Sequence, residues 1–146
     1  MIRPIDLSAE GVAESVVDIQ RAAYRVEADL IGFDDIPPLH EDARQVRQHR
    51  LQWLGSWEGD RLVGVIGWTL DDDVCDIDRL AVHPDFARRG HGRALVGKLL
   101  KHRTITVSTG TANAPARRLY ESLGFVGVAE VRIAADVTTS QYVRRT

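Results

Sequence analysis

The sequence is short of what secreted, membrane and metal-binding proteins need. Of its 146 residues only one, Cys75, is a cysteine. That excludes a disulfide framework and points to a reducing compartment. No apolar run is long enough to span a bilayer, so no membrane partner is expected. The opening M-I-R-P-I-D-L lacks the long apolar core of a signal peptide, and a cytoplasmic location is the expectation. The formal net charge is −2. The excess of positive charge that bulk binding to nucleic acid requires is therefore missing. The five histidines show no metal-ligand spacing, so no metal site is expected. Repeats, linkers and low-complexity stretches are absent.

What remains is the balance of a globular protein, with 44% hydrophobic and 27% charged residues. One domain over residues 1–146 is expected. Ile2–Leu7 reads as a short first strand, confined to an edge by Pro4. Ser8 is placed as the N-cap of a helix reaching about Ala28, with Val12, Val16, Ile19, Ala23 and Val26 as its apolar stripe. Asp29–Leu39 reads as irregular, and Pro37–Pro38 as a helix stop. Glu41–Arg50 is a second, polar helix. Leu51–Glu58 and Arg61–Leu70 form a hairpin around Gly59–Asp60. Asp71–Asp73 is a solvated loop, followed by a strand at Val74–Val82 and a helix over about Gly92–His102. Thr104–Thr109 is a strand. Asn113 caps a helix that ends at Gly124. Phe125–Ile133 and Val137–Val143 close the chain as strands. This order predicts an α/β (α+β) fold: a mixed, mostly antiparallel twisted sheet of about seven strands flanked by about four helices.

One stretch carries chemistry. D-I-D-R-L-A-V-H-P-D-F-A-R-R-G-H-G-R-A-L-V reads as a strand, a glycine-rich turn and a helix start. The first amides of a helix have no internal partner and lie at the positive end of its dipole. Gly90 and Gly92 let the backbone bend and approach a bound group closely. A phosphate or pyrophosphate is the expected guest.

That stretch, followed by A-N-A-P-A-R-R-L-Y-E-S-L-G-F, resembles the GNAT superfamily of acyl-CoA-dependent N-acetyltransferases. Motif-level matching covers about Val74–Phe125. The resemblance implies a cofactor, acetyl-CoA, with coenzyme A as product, and an amine acceptor that is a small molecule or a peptide. The family's Q/R-x-x-G-x-G/A loop can be set in two registers: on Gly90 and Gly92, where Ala87 in the first position departs from the pattern, or on Arg89, Gly92 and Ala94, which fit it. By resemblance, the amides of Arg88, Arg89, Gly90, His91, Gly92 and Arg93 wrap the pyrophosphate, with Arg88 or Arg89 adding charge. The backbone of Leu80, Ala81 and Val82 pairs with the pantetheine arm, and the Val82 amide serves the oxyanion. Asn113 matches a pantetheine-contacting asparagine. Tyr120 matches the tyrosine near the sulfur, as general acid. Paired edge strands leave a homodimer open.

Other roles compete for some of these residues. Tyr120 also lies on the apolar face of its helix, where packing would suffice. Asp76 and Asp78 are the candidate bases, expected on one strand face with Leu80 and Val82; alternatively they pair with Arg79, Arg117 or Arg118. His91 is expected to face solvent or stack on cofactor. The acceptor pocket is expected to draw on Tyr24, Phe33, Asp34, Asp35, Trp53, Trp68 and Tyr142, an aromatic and acidic set suited to a cationic amine. Two other classes compete with the transferase. One is a non-catalytic acyl-CoA-binding sensor or interaction domain. The other is a nucleotide-binding enzyme, which would need Gly-Lys-Ser/Thr or an early dinucleotide loop, and neither is present.

Overall fold

The computed structural model describes residues 1–146. Seven strands form one sheet in the order β1-β2-β3-β4-β5-β7-β6. In chain order the elements are β1 (Ile2–Pro4), α1 (Val12–Ile31), α2 (Pro37–His40), α3 (Ala43–Gln48), β2 (Gln52–Glu58), β3 (Arg61–Asp71) and β4 (Val74–Val82). A 3-10 turn at Pro84–Phe86 leads to α4 (His91–Gly97), β5 (Thr104–Gly110), α5 (Ala114–Ser122), β6 (Val126–Ala134) and β7 (Val137–Arg145). All neighbours are antiparallel except β4 and β5. No helix is long and apolar enough to cross a membrane.

The sheet has two apolar faces, each covered differently. On one, Ile66, Trp68, Cys75, Ile77, Ile105 and Val107 pack with Leu95 and Val96 of α4, Leu99 in the turns just after it, and Tyr120 of α5. On the other, Trp53, Val65 and Ala81 pack with Val16, Val17 and Ile19 of α1 and Val46 of α3. Burying each such aliphatic side chain is worth about 1.5–3 kcal/mol, so both layers are held mainly by their apolar stripes. Along β6, the free edge at the far end, Val126, Val128, Val131 and Ile133 stay exposed.

Helix boundaries depart most from expectation. α1 starts at Val12 behind Gly11, whose φ is 78°. Ser8 instead closes a turn on Asp6, with its N–H and Oγ both donating to Oδ1. α1 then runs past Ala28 to Ile31, ending at Gly32 in the left-handed conformation. Pro37 and Pro38 begin α2 rather than stopping a helix, because proline at the first helical turn loses no bond. The polar helix shortens to Ala43–Gln48, set by a capping box between Asp42 and Gln45. Glu41 is thereby left outside it and buried.

A bulge in β4 decides which residues meet. Gly67 pairs with Arg79 but Trp68 pairs with Ile77, leaving Asp78 as the extra residue. Alternation resets there. Ile77, Leu80 and Val82 share one face, and Asp76, Arg79 and Ala81 the other. The expected common face of Asp76, Asp78, Leu80 and Val82 is therefore corrected. Pairing of β4 with β5 also ends at this point: its rungs run only from Val74↔Thr104 to Ile77↔Val107.

Candidate active site

Beyond Ile77 the two parallel strands part, and the opening joins the two sides of the sheet. A cavity of ≈ 370 Å³ fills it. Its walls include Tyr24 and Glu27 of α1, Phe33 to Pro38 in part, Asp78 to Leu80, Ser108 to Gly110, and Asn113, Ala116 and Tyr120. The unpaired edge of β4 runs along it. His83 N–H donates to Val63 O on β3 (2.8 Å), whereas Leu80 N–H donates to Tyr24 Oη (3.2 Å). Strand alternation puts the Val82 N–H on the same open side as that of Leu80. The Leu80 N–H, expected to face a cofactor arm, is thus engaged by α1. Ala81 has its side chain in the core under α1.

Tyr120 is 3% exposed and lines this cavity. Its ring packs edge-on against Phe125, 5.3 Å between centroids. Its hydroxyl makes no hydrogen bond with the protein and stays accessible from the cavity. Burial, reinforced by the negative charge of Glu27, raises the pKa of this phenol, so it holds its proton at neutral pH. Burial does the same to Tyr24.

Asn113 accepts from Ala116 N–H at the start of α5 and donates through Nδ2 to Glu27 Oε1 (3.1 Å). Asp78 lies at the cavity wall, but its Oδ2 accepts from Arg79 Nε at 2.7 Å. Arg79 is buried and also meets Glu41 and Gln20. Burial would raise the Glu41 pKa, but the Arg79 guanidinium and His49 overcome this and hold it below the usual carboxylate value.

At the far end of the β4 edge lies the glycine-rich turn. Arg88 (φ 64°) and Gly90 (φ 84°) are both left-handed. The last free amide before α4 closes on itself is that of Arg93: Ala94 N–H is the first to donate, to Gly90 O at 2.9 Å. The amides from Arg88 to Arg93 therefore have no partner in the protein. The bend falls on Gly90, which favours the register on Gly90 and Gly92. Gly92 is helical, and an added Cβ would stand 3.5 Å from Leu119 and 3.9 Å from Leu80 and Val82. Those are ordinary contacts, so neither packing nor φ within the protein itself demands a glycine there.

The turn's side chains are mostly committed. His91 is locked between Ser56 Oγ and Glu58 Oε2, both at 2.6 Å, so it neither faces solvent nor is free to stack. Arg89 is paired with the other oxygen of Glu58 (2.6 Å). The His91 bond, with Arg89 beside it, lowers the Glu58 pKa. Arg93 donates to Ser122 Oγ (2.7 Å), and Ala94 is exposed on α4. Arg88 alone of the turn's cations has no side-chain partner.

The cavity gathers Tyr24, Phe33, Asp35, Asp78, Leu80, Asn113 and Tyr120 from the expected set, and leaves others outside. Asp76 sits on the closed, paired part of β4, where its Oδ1 accepts from Thr106 Oγ1 (2.6 Å). The bulge turned it away from Leu80. Asp34 is exposed outside the cavity, its carbonyl bonded to His40 Nε2. Trp53 and Trp68 are buried on opposite faces of the sheet, in separate cores. Tyr142 is 2% exposed, its hydroxyl held between Glu121 and Arg117 beneath α5. Glu27 was missed. Its signal was a second stripe on α1, Gln20, Tyr24, Glu27 and Ile31, hidden because Val26 drew the apolar stripe to a face where it is 46% exposed.

Comparison with known proteins agrees with this geometry. The family model described as acetyltransferase (GNAT) family matches residues 13–125. The chain is 33% identical over 135 residues to UPF0157 protein YqkA of Bacillus subtilis (strain 168), covering 90% of this chain and 39% of that protein. To N-acetylaspartate synthetase of Xenopus tropicalis it is 29% identical over 118 residues, 70% of this chain and 43% of that one. It therefore spans less than half the length of these curated relatives. Among solved structures it superposes on the ribosomal-protein-S18-alanine N-acetyltransferase from Escherichia coli with a TM-score of 0.78 at 19% identity, covering 99% of this chain and 92% of that one. On the PaiA N-acetyltransferase from Thermoplasma acidophilum in complex with coenzyme A the TM-score is 0.74 at 14% identity, covering 100% and 98%. At such identities the structural likeness speaks for the fold.

Proposed function

The chain belongs to the acetyltransferase (GNAT) family, and we propose that it transfers the acetyl group of acetyl-CoA to a primary amine of a small molecule or a peptide. One observation carries the reading. The unpaired edge of β4 connects a turn of free amides, Arg88–Arg93, to a cavity holding an unpartnered tyrosine. That is a track for a long ligand with an anion at one end and a reacting group at the other.

The residues present fit acetyl-CoA. The Arg88–Arg93 amides and the free Arg88 guanidinium would hold the pyrophosphate. The open edge of β4 beyond the Leu80 N–H, which Tyr24 already holds, would pair with the pantetheine arm, and Asn113 stands beside that path. Bound there, the cofactor supplies an activated acyl group on a sulfur leaving group. The chain's own part is positional and protonic. Val82 offers an N–H on the open side of β4, where charge on an acyl oxygen can be met. Tyr120 keeps its proton at neutral pH and presents it to the cavity with no competing partner in the protein, suiting it to protonate a departing thiolate. Asp78 is tied to Arg79, which leaves it a poor base. Water is the simpler acceptor of the amine's proton.

Calorimetric titration with coenzyme A, followed by measurement of free thiol from acetyl-CoA over a panel of primary amines, tests this. Binding together with amine-dependent thiol release is expected. Thiol release that no amine stimulates would overturn the reading.

A further inference from the structure

Glu27 reaches from α1 across the opening between β4 and β5. Its Oε1 accepts from Thr109 Oγ1 (3.0 Å), Asn113 Nδ2 (3.1 Å) and Gly110 N–H (3.5 Å). Its Oε2 accepts from nothing. The carboxylate is thus fixed by one oxygen and unused at the other, at the wall of the cavity. A fixed carboxylate oxygen without a donor is a receptor for an ammonium group.

The rest of the wall has the same sign. Asp35 and Asp78 also line it, and its one cation, Arg79, is already met by Glu41 and Asp78. Tyr24 and Phe33 add aromatic surface, which suits a cation. Independently of these acids, the Tyr120 hydroxyl, on a residue 3% exposed, points into the same space with no partner. The hydrogen-bonding capacity of that hydroxyl is therefore open to a polar ligand in the cavity.

We propose that the acceptor is a small amine carrying a second positive charge, a diamine in its simplest form. Glu27 Oε2 receives the reacting amine as its ammonium, and Asp35, the more exposed of these two lining carboxylates, holds the distal charge. This rests on the transferase reading above and names its substrate class. The roles assigned are in binding; the amine is acylated only after it has lost its proton to water.

The test compares thiol release from acetyl-CoA with 1,5-diaminopentane, pentylamine, 5-aminopentanoate and a lysine-containing peptide. The diamine should exceed 5-aminopentanoate in kcat/KM by roughly 10- to 100-fold, the value of one hydrogen bond to a charged group. Asp35→Asn should erase the preference for diamine over pentylamine. Glu27→Gln keeps an acceptor oxygen for Asn113 and Thr109, and should raise KM for both amines about tenfold with coenzyme A affinity unchanged. Equal use of 5-aminopentanoate, faster use of the peptide, or a diamine preference that survives Asp35→Asn would overturn the proposal alone. So would parallel loss of coenzyme A affinity in Glu27→Gln, which would make Glu27 a strut for Asn113. No thiol release with any amine would sink the transferase reading first.

Discussion

The two ends of the track along β4 are built on opposite principles. At the α4 end, the chemistry lies in the backbone. Consecutive amides are free because a left-handed turn delivers them there, and neighbouring side chains are spent on bracing that turn: His91 to Ser56 and Glu58, Arg89 to Glu58. At the α1 end, the chemistry lies in side chains far apart in sequence. Glu27 meets Asn113, and Arg79 meets Glu41, across 86 and 38 positions. A backbone site tolerates changes in sequence so long as the turn survives. A side-chain site changes with each residue. The contrast suits an enzyme family that keeps one donor and varies its acceptors.

The largest expected effect breaks the side-chain end. Arg79 is buried and its charge depends on Glu41 and Asp78. Glu41→Gln should cost about 3 kcal/mol, at the low end for a broken buried pair because Asp78 remains. The melting temperature should fall by roughly 6–12 °C for a chain of this size. The pH dependence has a definite sign. The folded-state pKa of Glu41 is lowered, so its contribution is present above the ordinary carboxylate pKa and is lost as pH falls through the lowered value. Wild type and variant should therefore converge in stability towards acid pH. Thermal melts that stay equally separated from neutral to acid pH would show that the loss does not come from the Glu41 charge.

Tyr120 lies where the two ends meet, and it separates packing from chemistry. Tyr120→Phe removes an oxygen that bonds to nothing in the protein. Stability should be unchanged, since no bond within the protein is lost. Coenzyme A affinity should hold within about twofold, while turnover falls by about 100-fold, the lower range for a positioned acid. Turnover equal to wild type would leave the ring as core, packed on Phe125 and Tyr142.

The same contrast sets what the sequence could reveal. The donor end is local: strand, turn and helix start sit within Val74–Gly97, and the glycines announce the bend. β2 to β7 were placed within a few residues of their observed ends for a similar reason, their periodicity and turns being local. The acceptor end depends on tertiary events. No local pattern marks Asp78 as a bulge, so Asp76 was read onto the wrong face. No alternation rule tells that Trp53 and Trp68 enter different cores. Ser8 fits the rule for a helix cap, yet the turn it makes with Asp6 and the left-handed Gly11 moved the start of α1.

The smallest effect sharpens the backbone claim itself. Two arginines sit side by side in the turn, and sequence could not say which one assists the cofactor. Arg89 is paired with Glu58, and its guanidinium lies 5.0 Å from the Phe86 ring centroid. Arg88 is exposed and unpaired, held at φ 64° by the bend that frees the amides. If amides do most of the holding, neither arginine matters greatly, and Arg88 matters more. Arg88→Ala should weaken coenzyme A about three- to fivefold, and less at high salt, as a solvent-exposed charge contact does. Arg89→Ala should change affinity less than about twofold, since it removes a surface ion pair rather than a ligand contact. Calorimetry at two ionic strengths measures both. A loss of 100-fold from Arg88→Ala would move the site from backbone to side chain, and with it the distinction between the two ends.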